Sequence, residues 1–415
     1  MGKLLFLSWL AIGLICLRAA GDVVRTEPSS AIRKEVTVAN WDKGGELSHW
    51  VYLHPSEVFP AGVVRREGAV LDLPEALRPE IAQLELKGDD GSSQRLWQMI
   101  NNGAVDGVIV LHQGKVVYEQ YPAMDLNDFH LLFSVSKVFT STALAILEDQ
   151  GRIDLNRTVD SYLPELKKSG WAGTRLRDVA DMASGMEGSE TDNSAYRDSG
   201  HKQFQLEAAL GWQPRTAGNL PATARQGDLL GFLGTLKRVR RPGEAWAYTS
   251  SNTAVLGEVI ERATGQSLSN MISELIWRRM GAEHDALLLQ NEQGYPIAHA
   301  GMVATLRDVA RFGLLFTKSA GPAKREIVSE RILHRIFKEG QPELLAKDHP
   351  AGMLPLTYQW DMLSDKGEMA KGGWAGQLLY VNREKDVVVV YLGTNLTSKP
   401  KPEAMPCRII ANTFF

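Results

Sequence analysis

Cysteine is scarce in this chain of 415 residues, which contains only two. Cys16 lies within an N-terminal segment that we expect to be removed, so Cys407 would remain alone and no internal disulfide could form. Cys407 also lies in a proline-rich tail without a neighbouring histidine, which makes it a poor candidate for a nucleophile. We therefore expect the folded chain to depend on its hydrophobic core for stability.

A surplus of either charge is also lacking. The 46 Lys and Arg residues nearly balance the 49 Asp and Glu residues, and the net charge of -3 gives no electrostatic reason to expect a nucleic-acid partner. The sequence has no GxGxxG or Walker-type loop and no HExxH-like histidine spacing, so we predict neither a cofactor nor a metal. Nothing in the sequence assigns an oligomeric state.

One long apolar run, from Leu4 to Leu17, lies at the N-terminus. Lys3 precedes this run and Ala19-Ala20-Gly21 follows it, which is the arrangement of a secretory signal peptide and its cleavage site. The run is shorter than the ~20 residues that cross a bilayer, so an uncleaved anchor is the weaker alternative. We predict that residues 1–21 are a signal peptide and that the mature chain is exported, periplasmic or secreted, without a membrane span after cleavage.

Strand patterns occur towards both ends of the remaining chain, and helix patterns occur between them. Two β-rich runs flank a Gln-Gly turn from Gly107 to Tyr118, and a second predicted hairpin runs from Gln377 to Leu392. Helix periodicity extends over Val135–Gln150 and Ala254–Ala263. Pairing of the two hairpins would give one antiparallel sheet and an α+β fold.

These patterns predict a division of the chain into domains. Residues 22–97 are irregular, with scattered proline and glycine, and we expect them to wrap a neighbouring domain. Residues 166–301 are rich in helix patterns, so we predict a mostly helical subdomain inserted into the sheet domain. The predicted sheet domain comprises residues 98–165 and 302–415.

A serine followed three residues later by lysine occurs at Ser134–Lys137, Ser199–Lys202 and Ser398–Lys401. Of these serines, only Ser134 stands at the start of a well-patterned helix after an apolar approach. A lysine three residues further along a helix lies on the same face. It can there act as the base that a serine nucleophile requires. The alternative for Ser134 is a helix-capping role.

Two later segments carry further candidate residues. Tyr248 lies just before the second predicted helix, where its phenol could enter a cleft; a half-buried aromatic ring is the alternative. Lys371-Gly372-Gly373-Trp374 precedes the last hairpin, and its glycines would let a substrate or another backbone approach closely. Lys371 would supply a positive charge, and an exposed strand N–H could bind an oxyanion. A flexible loop is the alternative for this segment.

Ser134–Lys137, Tyr248 and Lys371–Trp374, in this order along the chain, resemble the three motifs of the serine β-lactamase and penicillin-binding-protein superfamily. They are most similar to its β-lactamase-related, class C-like hydrolases. The resemblance extends from about Gly107 to Asn395. Asn40-Trp41-Asp42 and Ser48-His49-Trp50 are also similar to the 6-aminohexanoate-dimer hydrolase branch. The resemblance implies a β-lactamase/transpeptidase-like fold, in which helices flank an antiparallel sheet.

The resemblance also implies a mechanism in which Ser134 attacks a carbonyl and a coupled Lys137–Tyr248 pair handles its proton. The residues alone leave the base open, because lowering either pKa to neutrality costs a similar ~4–5 kcal/mol. The usual Tyr-x-Asn triplet is missing at Tyr248, which leaves the roles of Ser250 and Asn252 open. The implied site comprises Ser134, Lys137 and Tyr248 for catalysis and Ser134, Lys371, Gly373, Trp374, Ser250 and Asn252 for oxyanion and substrate binding.

We therefore expect an exported serine hydrolase that cleaves an ester or amide bond of a small molecule or short peptide through a Ser134 acyl-enzyme. A cell-wall DD-peptidase or β-lactamase is the first alternative, although Gly372 lacks the hydroxyl that penicillin-recognising enzymes carry in their third motif. A catalytically silent binding protein on the same scaffold is the second. The acidic residues of Glu187–Glu190 either contact an amine-bearing substrate or form a solvated loop.

Overall fold

The predicted hairpins form part of a larger set of strands. The computed structural model describes residues 29–87, 92–190, 193–214, 228–320, 325–345, 350–394 and 406–415. The strands in these ranges are β1 (Ala61–Val64), β2 (Glu85–Lys87), β3 (Ser93–Arg95), β4 (Val105–His112), β5 (Lys115–Gln120), β6 (His130–Leu131), β7 (Ala286–Leu289), β8 (Met302–Ala304), β9 (Met362–Leu363), β10 (Glu368–Gly372), β11 (Leu378–Asn382) and β12 (Val387–Gly393).

Both predicted helices are present, with shifted ends. The helix predicted over Val135–Gln150 spans Ser136–Asp149, and the one predicted over Ala254–Ala263 spans Ser250–Thr264. Gly265 ends the second helix with a φ of 69°, which glycine adopts without strain. The helices are α1 (Ser29–Glu35), α2 (Gly45–Leu53), α3 (Leu96–Ile100), α4 (Ser136–Asp149), α5 (Val159–Tyr162), α6 (Leu176–Ala180), α7 (Lys202–Ala209), α8 (Leu229–Leu233), α9 (Ser250–Thr264), α10 (Leu268–Ile272), α11 (Leu306–Leu314), α12 (Glu330–Lys338) and α13 (Cys407–Phe414).

The larger sheet joins the two predicted hairpins. Its six strands are ordered β5-β4-β12-β11-β10-β9, and every neighbouring pair is antiparallel. The long-range contact runs between β12 and β4, where Val389 pairs with Val110. The predicted pairing of the hairpins into one antiparallel sheet is therefore confirmed.

Helices cover both faces of this sheet, which explains why β12 is almost continuously apolar. Val387 and Val389 belong to a buried cluster that includes Ile410 of α13. On the other face, α11 approaches so closely that a Cβ on Gly313 would lie 2.6 Å from a methyl carbon of Val388. A glycine is thus needed at that crossing, because any side chain would displace the helix from the sheet.

A second sheet was not predicted from the sequence. It has four strands in the order β1-β7-β8-β6, all antiparallel. Its strands contain two to four residues each, too few to show an alternating pattern in the sequence. One of them, β7, lies within residues 166–301, so the segment predicted to be mostly helical also contributes to a sheet.

The segment before residue 98 contains more regular structure than predicted, because it supplies α2 and β1. The Trp41 ring stacks on the ring of Phe133 with centroids 6.1 Å apart, and the Trp41 Nε1–H donates to the carbonyl of Trp212 at 2.9 Å. His49 of α2 lies 3.3 Å from a carboxylate oxygen of Asp106 in β4. This segment therefore packs against the residue that precedes Ser134.

Helix α1 belongs to a unit separate from Val36–Phe415. Among the helices of the described residues, none combines the length and the apolar character that crossing a bilayer requires.

Candidate active site

Ser134 lies in a tight helical turn between β6 and α4, and the second sheet fixes this turn. The N–H of Leu132 donates to the carbonyl of Met302 at 2.8 Å, and the N–H of Met302 donates to the Ser136 hydroxyl at 2.9 Å. Phe133 adopts a φ of 45°, a left-handed conformation that is strained for a bulky residue. The hydroxyl of Ser134 is consequently presented from a constrained backbone.

Lys137 lies one turn further along, as the spacing predicts. Its Nζ is 3.0 Å from the Ser134 Oγ and 3.1 Å from the carbonyl oxygen of His299, and the side chain is fully buried. Burial lowers the pKa of Lys137 to about 7; the positive charge of Lys371 acts in the same direction, and the negative charge of Glu190 opposes it. A large fraction of Lys137 is therefore neutral at physiological pH.

Tyr248 lies between two ammonium groups. Its ring centroid is 4.9 Å from the Nζ of Lys137 and 4.5 Å from the Nζ of Lys371, which are cation–π distances. Burial raises the pKa of Tyr248 well above its usual range, and the negative charges of Asp361 and Glu190 raise it further. The Ser134 hydroxyl acts to lower the pKa of the Tyr248 phenol, but this effect is outweighed. The phenol is therefore protonated near neutral pH and available as a donor.

Lys371 is paired with a carboxylate that the sequence analysis did not identify. Its Nζ donates to Asp361 Oδ1 at 2.6 Å, and the Gly372 N–H donates to Asp361 Oδ2 at 3.0 Å. Burial lowers the pKa of the fully buried Lys371, and the charge of Asp361 opposes that shift. Asp361 is a single carboxylate before the two-residue strand β9, so no motif or spacing in the sequence distinguishes it.

Glu190, from the acidic segment that the sequence singled out, is buried at the site. One carboxylate oxygen accepts the N–H of Ser250 at 2.6 Å, and the other accepts the hydroxyl of Tyr196. A carboxylate at the first residue of α9 is favoured by the helix dipole. Glu187 does not share this position, since it accepts the N–H of Lys237 at 2.9 Å. Only the second acidic residue of the segment thus borders the site.

Of three further predicted site residues, Gly373 and Trp374 border a cavity next to Ser134 and Asn252 does not. The N–H of Gly373 donates to the carbonyl of Gln377 at 2.8 Å, so Gly373 contributes its backbone surface rather than a free donor. The Asn252 amide donates to the sulfur of Met182 at 3.3 Å and is buried outside the two cavities described below. The Trp374 ring lies 5.3 Å from the ring of Tyr196.

Two cavities meet at Ser134, one of about 420 Å³ and one of about 180 Å³. Both are bordered by Ser134, Tyr196 and Trp374. The larger is otherwise lined mainly by apolar side chains, with polar groups supplied by Glu190, Asp361, Ser364 and Arg408. The smaller one includes Trp41, Asp42, Glu207, Ser250 and His299. A substrate with a group on each side of a scissile bond therefore has space on both sides of the hydroxyl.

Glu207 is a second residue that sequence reasoning missed. One of its oxygens accepts from the Gln203 amide at 2.7 Å and lies 2.9 Å from His299 Nε2. Its helix, α7, carries no recognisable motif, and Glu207 reaches the smaller cavity, which Ser134 also borders, only through tertiary contacts.

The family of the chain follows from its sequence profile. The profile of the family described as Beta-lactamase matches residues 98–410, which is more than half of the chain. The chain belongs to the β-lactamase family.

Known proteins similar to this β-lactamase-family chain include two of the 6-aminohexanoate-dimer hydrolase type. The 6-aminohexanoate-dimer hydrolase of Paenarthrobacter ureafaciens is 29% identical over 396 residues, covering 93% of this chain and 94% of that protein. A solved structure from Bacillus anthracis, assigned as such a hydrolase, has a TM-score of 0.78 at 27% identity and covers 94% of this chain and 97% of its own. A class C β-lactamase shares the fold, with a TM-score of 0.53 at 15% identity and coverage of 77% and 93%.

These similarities confirm the predicted resemblance and the α+β, β-lactamase/transpeptidase-like fold. Because the similar proteins are hydrolases of the β-lactamase family, this protein is a serine hydrolase of the esterase or amidase type. Within the described part of this family member, no group of three or more His, Cys, Asp or Glu side chains is arranged to hold a metal ion.

Proposed function

We propose that this protein is an exported serine hydrolase that cleaves an amide or ester bond through an acyl-enzyme on Ser134. The observation that carries the proposal is the 3.0 Å contact between the Ser134 hydroxyl and the buried Lys137 amine, whose pKa is about 7. A serine becomes a nucleophile when an adjacent base takes its proton. Lys137 meets that requirement in geometry and in protonation state.

The structure favours Lys137 over Tyr248 as the base for acylation. Neutral Lys137 takes the Ser134 proton as Oγ bonds to the carbonyl carbon, and the carbonyl oxygen becomes an oxyanion that the N–H groups of Ser134 and Trp374 would bind. As the bond to the leaving nitrogen or oxygen breaks, the phenol of Tyr248 donates its proton to that atom. The ammonium of Lys137 then reprotonates Tyr248, so the proton of Ser134 has passed to the leaving group.

Deacylation reverses these roles. A water molecule loses its proton to neutral Lys137 while its oxygen bonds to the acyl carbon. The bond from that carbon to Ser134 Oγ then breaks, Oγ recovers a proton from Lys137, and the acid is released. Microscopic reversibility thus lets one lysine serve both half-reactions.

We propose an amine-bearing linear amide as the substrate class. The two cavities that meet at Ser134 leave room for an extended chain on both sides of the bond. In their walls, the carboxylates of Glu190, Asp361, Asp42 and Glu207 outnumber the cationic side chains of Lys43, Arg197 and Arg408. The two similar proteins named above are assigned as 6-aminohexanoate-dimer hydrolases, and that linear dimer has a free amine at one end and a carboxylate at the other. The dimer is therefore the first amide to test.

The experiment compares wild type with two alanine variants. Ser134→Ala should reduce the hydrolysis of a p-nitrophenyl ester and of the 6-aminohexanoate dimer to background, and it should abolish labelling by a fluorophosphonate. The matched control is Ser199→Ala, because Ser199 is an exposed serine that also precedes a lysine by three residues. That variant should retain wild-type rates.

Other outcomes would favour the alternatives. Normal turnover by Ser134→Ala would overturn the proposal. Stable labelling of Ser134 by a fluorescent penicillin, with no ester turnover, would indicate a cell-wall DD-peptidase. Absence of reaction with every activated ester and fluorophosphonate would indicate a binding protein.

Export is part of the proposal and has its own test. Expression of the full chain in a bacterial host, followed by N-terminal sequencing of the protein recovered outside the cytoplasm, should give a start close to Asp22. Recovery of the intact chain from the cytoplasm alone would contradict this part.

A further inference from the structure

The ammonium of Lys371 borders the site but is already occupied. It is fully buried, 4.5 Å from the Tyr248 ring centroid, and its Nζ donates to Asp361 at 2.6 Å. A buried ammonium next to a substrate cavity would ordinarily attract an anionic group of the substrate. Here Asp361, whose side chain is 18% exposed and lines the larger cavity, takes that interaction instead.

The other charges near Tyr248 leave this part of the cavity negative. The charges of Lys371 and Asp361 cancel, and the carboxylate of Glu190 adds a negative charge that hydrogen bonds from Ser250 and Tyr196 stabilise. Lys137 does not compensate fully, because with a pKa of about 7 it carries only part of a positive charge at pH 7. A carboxylate entering next to the scissile bond would therefore meet the like charges of Asp361 and Glu190. The nearby Lys137, which contacts a hydroxyl and a backbone carbonyl rather than a carboxylate, is only partly protonated.

We propose that Asp361 is a specificity-determining residue, which neutralises Lys371 and excludes substrates with an anionic group beside the scissile bond. The enzyme consequently accepts neutral or cationic amides and esters at this side of Ser134. The inference rests on the proposed function, because it takes Ser134 as the nucleophile. It adds a charge rule for the substrate, namely that no anionic group lies beside the scissile bond, and it assigns this preference to the side chain of Asp361.

A purely positional role for Asp361 makes a different prediction. Asp361 also accepts the N–H of Gly372 at 3.0 Å, so it could merely hold the end of β10 in place. Loss of that support would lower the rates of neutral and anionic substrates together. A charge role changes their ratio, and the ratio is therefore the quantity to measure.

The experiment uses Asp361→Asn, which keeps the shape and removes the charge. Two matched pairs of esters are compared. Phenyl butyrate with monophenyl succinate tests a carboxylate on the acyl side of the bond, and phenyl butyrate with 3-carboxyphenyl butyrate tests one on the leaving-group side. In at least one pair, kcat/KM for the anionic ester relative to the neutral one should rise about tenfold or more. Adding Lys371→Met to this variant should remove the gain, because the released ammonium is then absent.

The matched control is Asp365→Asn, which removes the same charge from an exposed residue that does not line the larger cavity. Its ratio should equal that of the wild type. An unchanged ratio in Asp361→Asn for both pairs would overturn the inference while leaving the neutral-ester activity, and hence the proposed function, intact. If the wild type showed no ester turnover that depends on Ser134, the proposed function itself would be overturned.

If Asp361→Asn does not fold, the wild type supplies the second measurement. Raising the ionic strength screens repulsion between the cavity and an anionic substrate. The anionic-to-neutral ratio should then increase several-fold with salt. A ratio independent of salt would contradict the charge rule.

Discussion

Two lysines flank the ring of Tyr248, and their environments differ in one respect. Lys137 and Lys371 are both fully buried and lie 4.9 and 4.5 Å from the ring centroid. Lys137 contacts a hydroxyl and a backbone carbonyl, whereas Lys371 contacts the carboxylate of Asp361. Burial lowers the pKa of both amines, but only Lys371 has a direct counter-ion that opposes the shift. A buried lysine without a carboxylate partner thus has a pKa low enough for the amine to act as a base at neutral pH.

The difference also shows why one lysine suits proton transfer and the other suits electrostatics. A paired ammonium keeps its proton, and so Lys371 supplies a fixed positive charge next to the phenol. An amine with a pKa near 7 gives and takes protons at the working pH. The following predictions, ordered by expected effect, test this division of roles.

The largest effect is expected for Lys137→Met, which keeps an apolar side chain of similar length in the buried position. Loss of a positioned base typically costs 10²–10⁴-fold, and we expect a fall in kcat/KM of about 10³-fold or more. Ester hydrolysis by the purified variant gives the measurement, and circular dichroism checks the fold. A loss smaller than tenfold would assign the base to another group.

Tyr248→Phe should cost less, about 10²-fold in kcat/KM, because it removes the phenol donor and retains the ring that both ammonium groups contact. The loss should be greater for an amide than for a p-nitrophenyl ester, since the amine leaving group needs a proton and nitrophenolate does not. Equal losses for both substrates would show that the phenol does not protonate the leaving group.

The pH dependence follows from the pKa of about 7 for Lys137. The reactive form is the neutral amine, so kcat/KM should be constant well above pH 7 and fall about tenfold per pH unit below it. The acidic limb should vanish in Lys137→Met, whose residual activity comes from other groups. If the Tyr248 phenolate were the base, the limb would instead lie far above pH 7, because the pKa of that phenol is raised.

The smallest effect concerns stability. Lys371→Met leaves the mostly buried Asp361 without its counter-ion and should lower the free energy of unfolding by about 2 kcal/mol, the cost of a buried acceptor that loses its donor. Adding Asp361→Asn should recover most of this loss, since the pair is then replaced by neutral groups. Urea denaturation gives the measurement, and Lys366→Met, at an exposed neighbouring residue, should change stability by less than ~0.5 kcal/mol. Equal stability of the single and double variants would contradict the pairing argument.

Sequence reasoning succeeded where the geometry is local. Ser134 and Lys137 share a helical turn, so their spacing alone predicted the contact at 3.0 Å. The long hairpins were visible because β4, β11 and β12 have enough residues to show strand patterns. Tyr248 was predicted from the order of motifs in the resembling family, and the structure places it against both lysines.

The residues that sequence reasoning missed reach the site only through tertiary contacts. Asp361, Tyr196 and Glu207 come from separate segments and carry no spacing that links them to Ser134. Asn252 and Ser250 illustrate the converse: both follow Tyr248 closely, yet α9 directs Asn252 towards Met182 and leaves Ser250 at the smaller cavity. Because α9 begins four residues before the predicted start, Ser250 and Asn252 lie in the helix rather than in a loop, and the helix sets the direction of each side chain.

The packing of the segment before residue 98 has a practical consequence for anyone who shortens this protein. The family profile starts at residue 98, which invites truncation there. Such a fragment would lose β1, the edge strand of the second sheet, and strand β8 of that sheet holds the turn of Ser134. It would also lose Trp41 and so expose the ring of Phe133, on which Trp41 stacks. We expect a version trimmed to the profile to precipitate, whereas one that starts near Val36 should be the shortest form to crystallise.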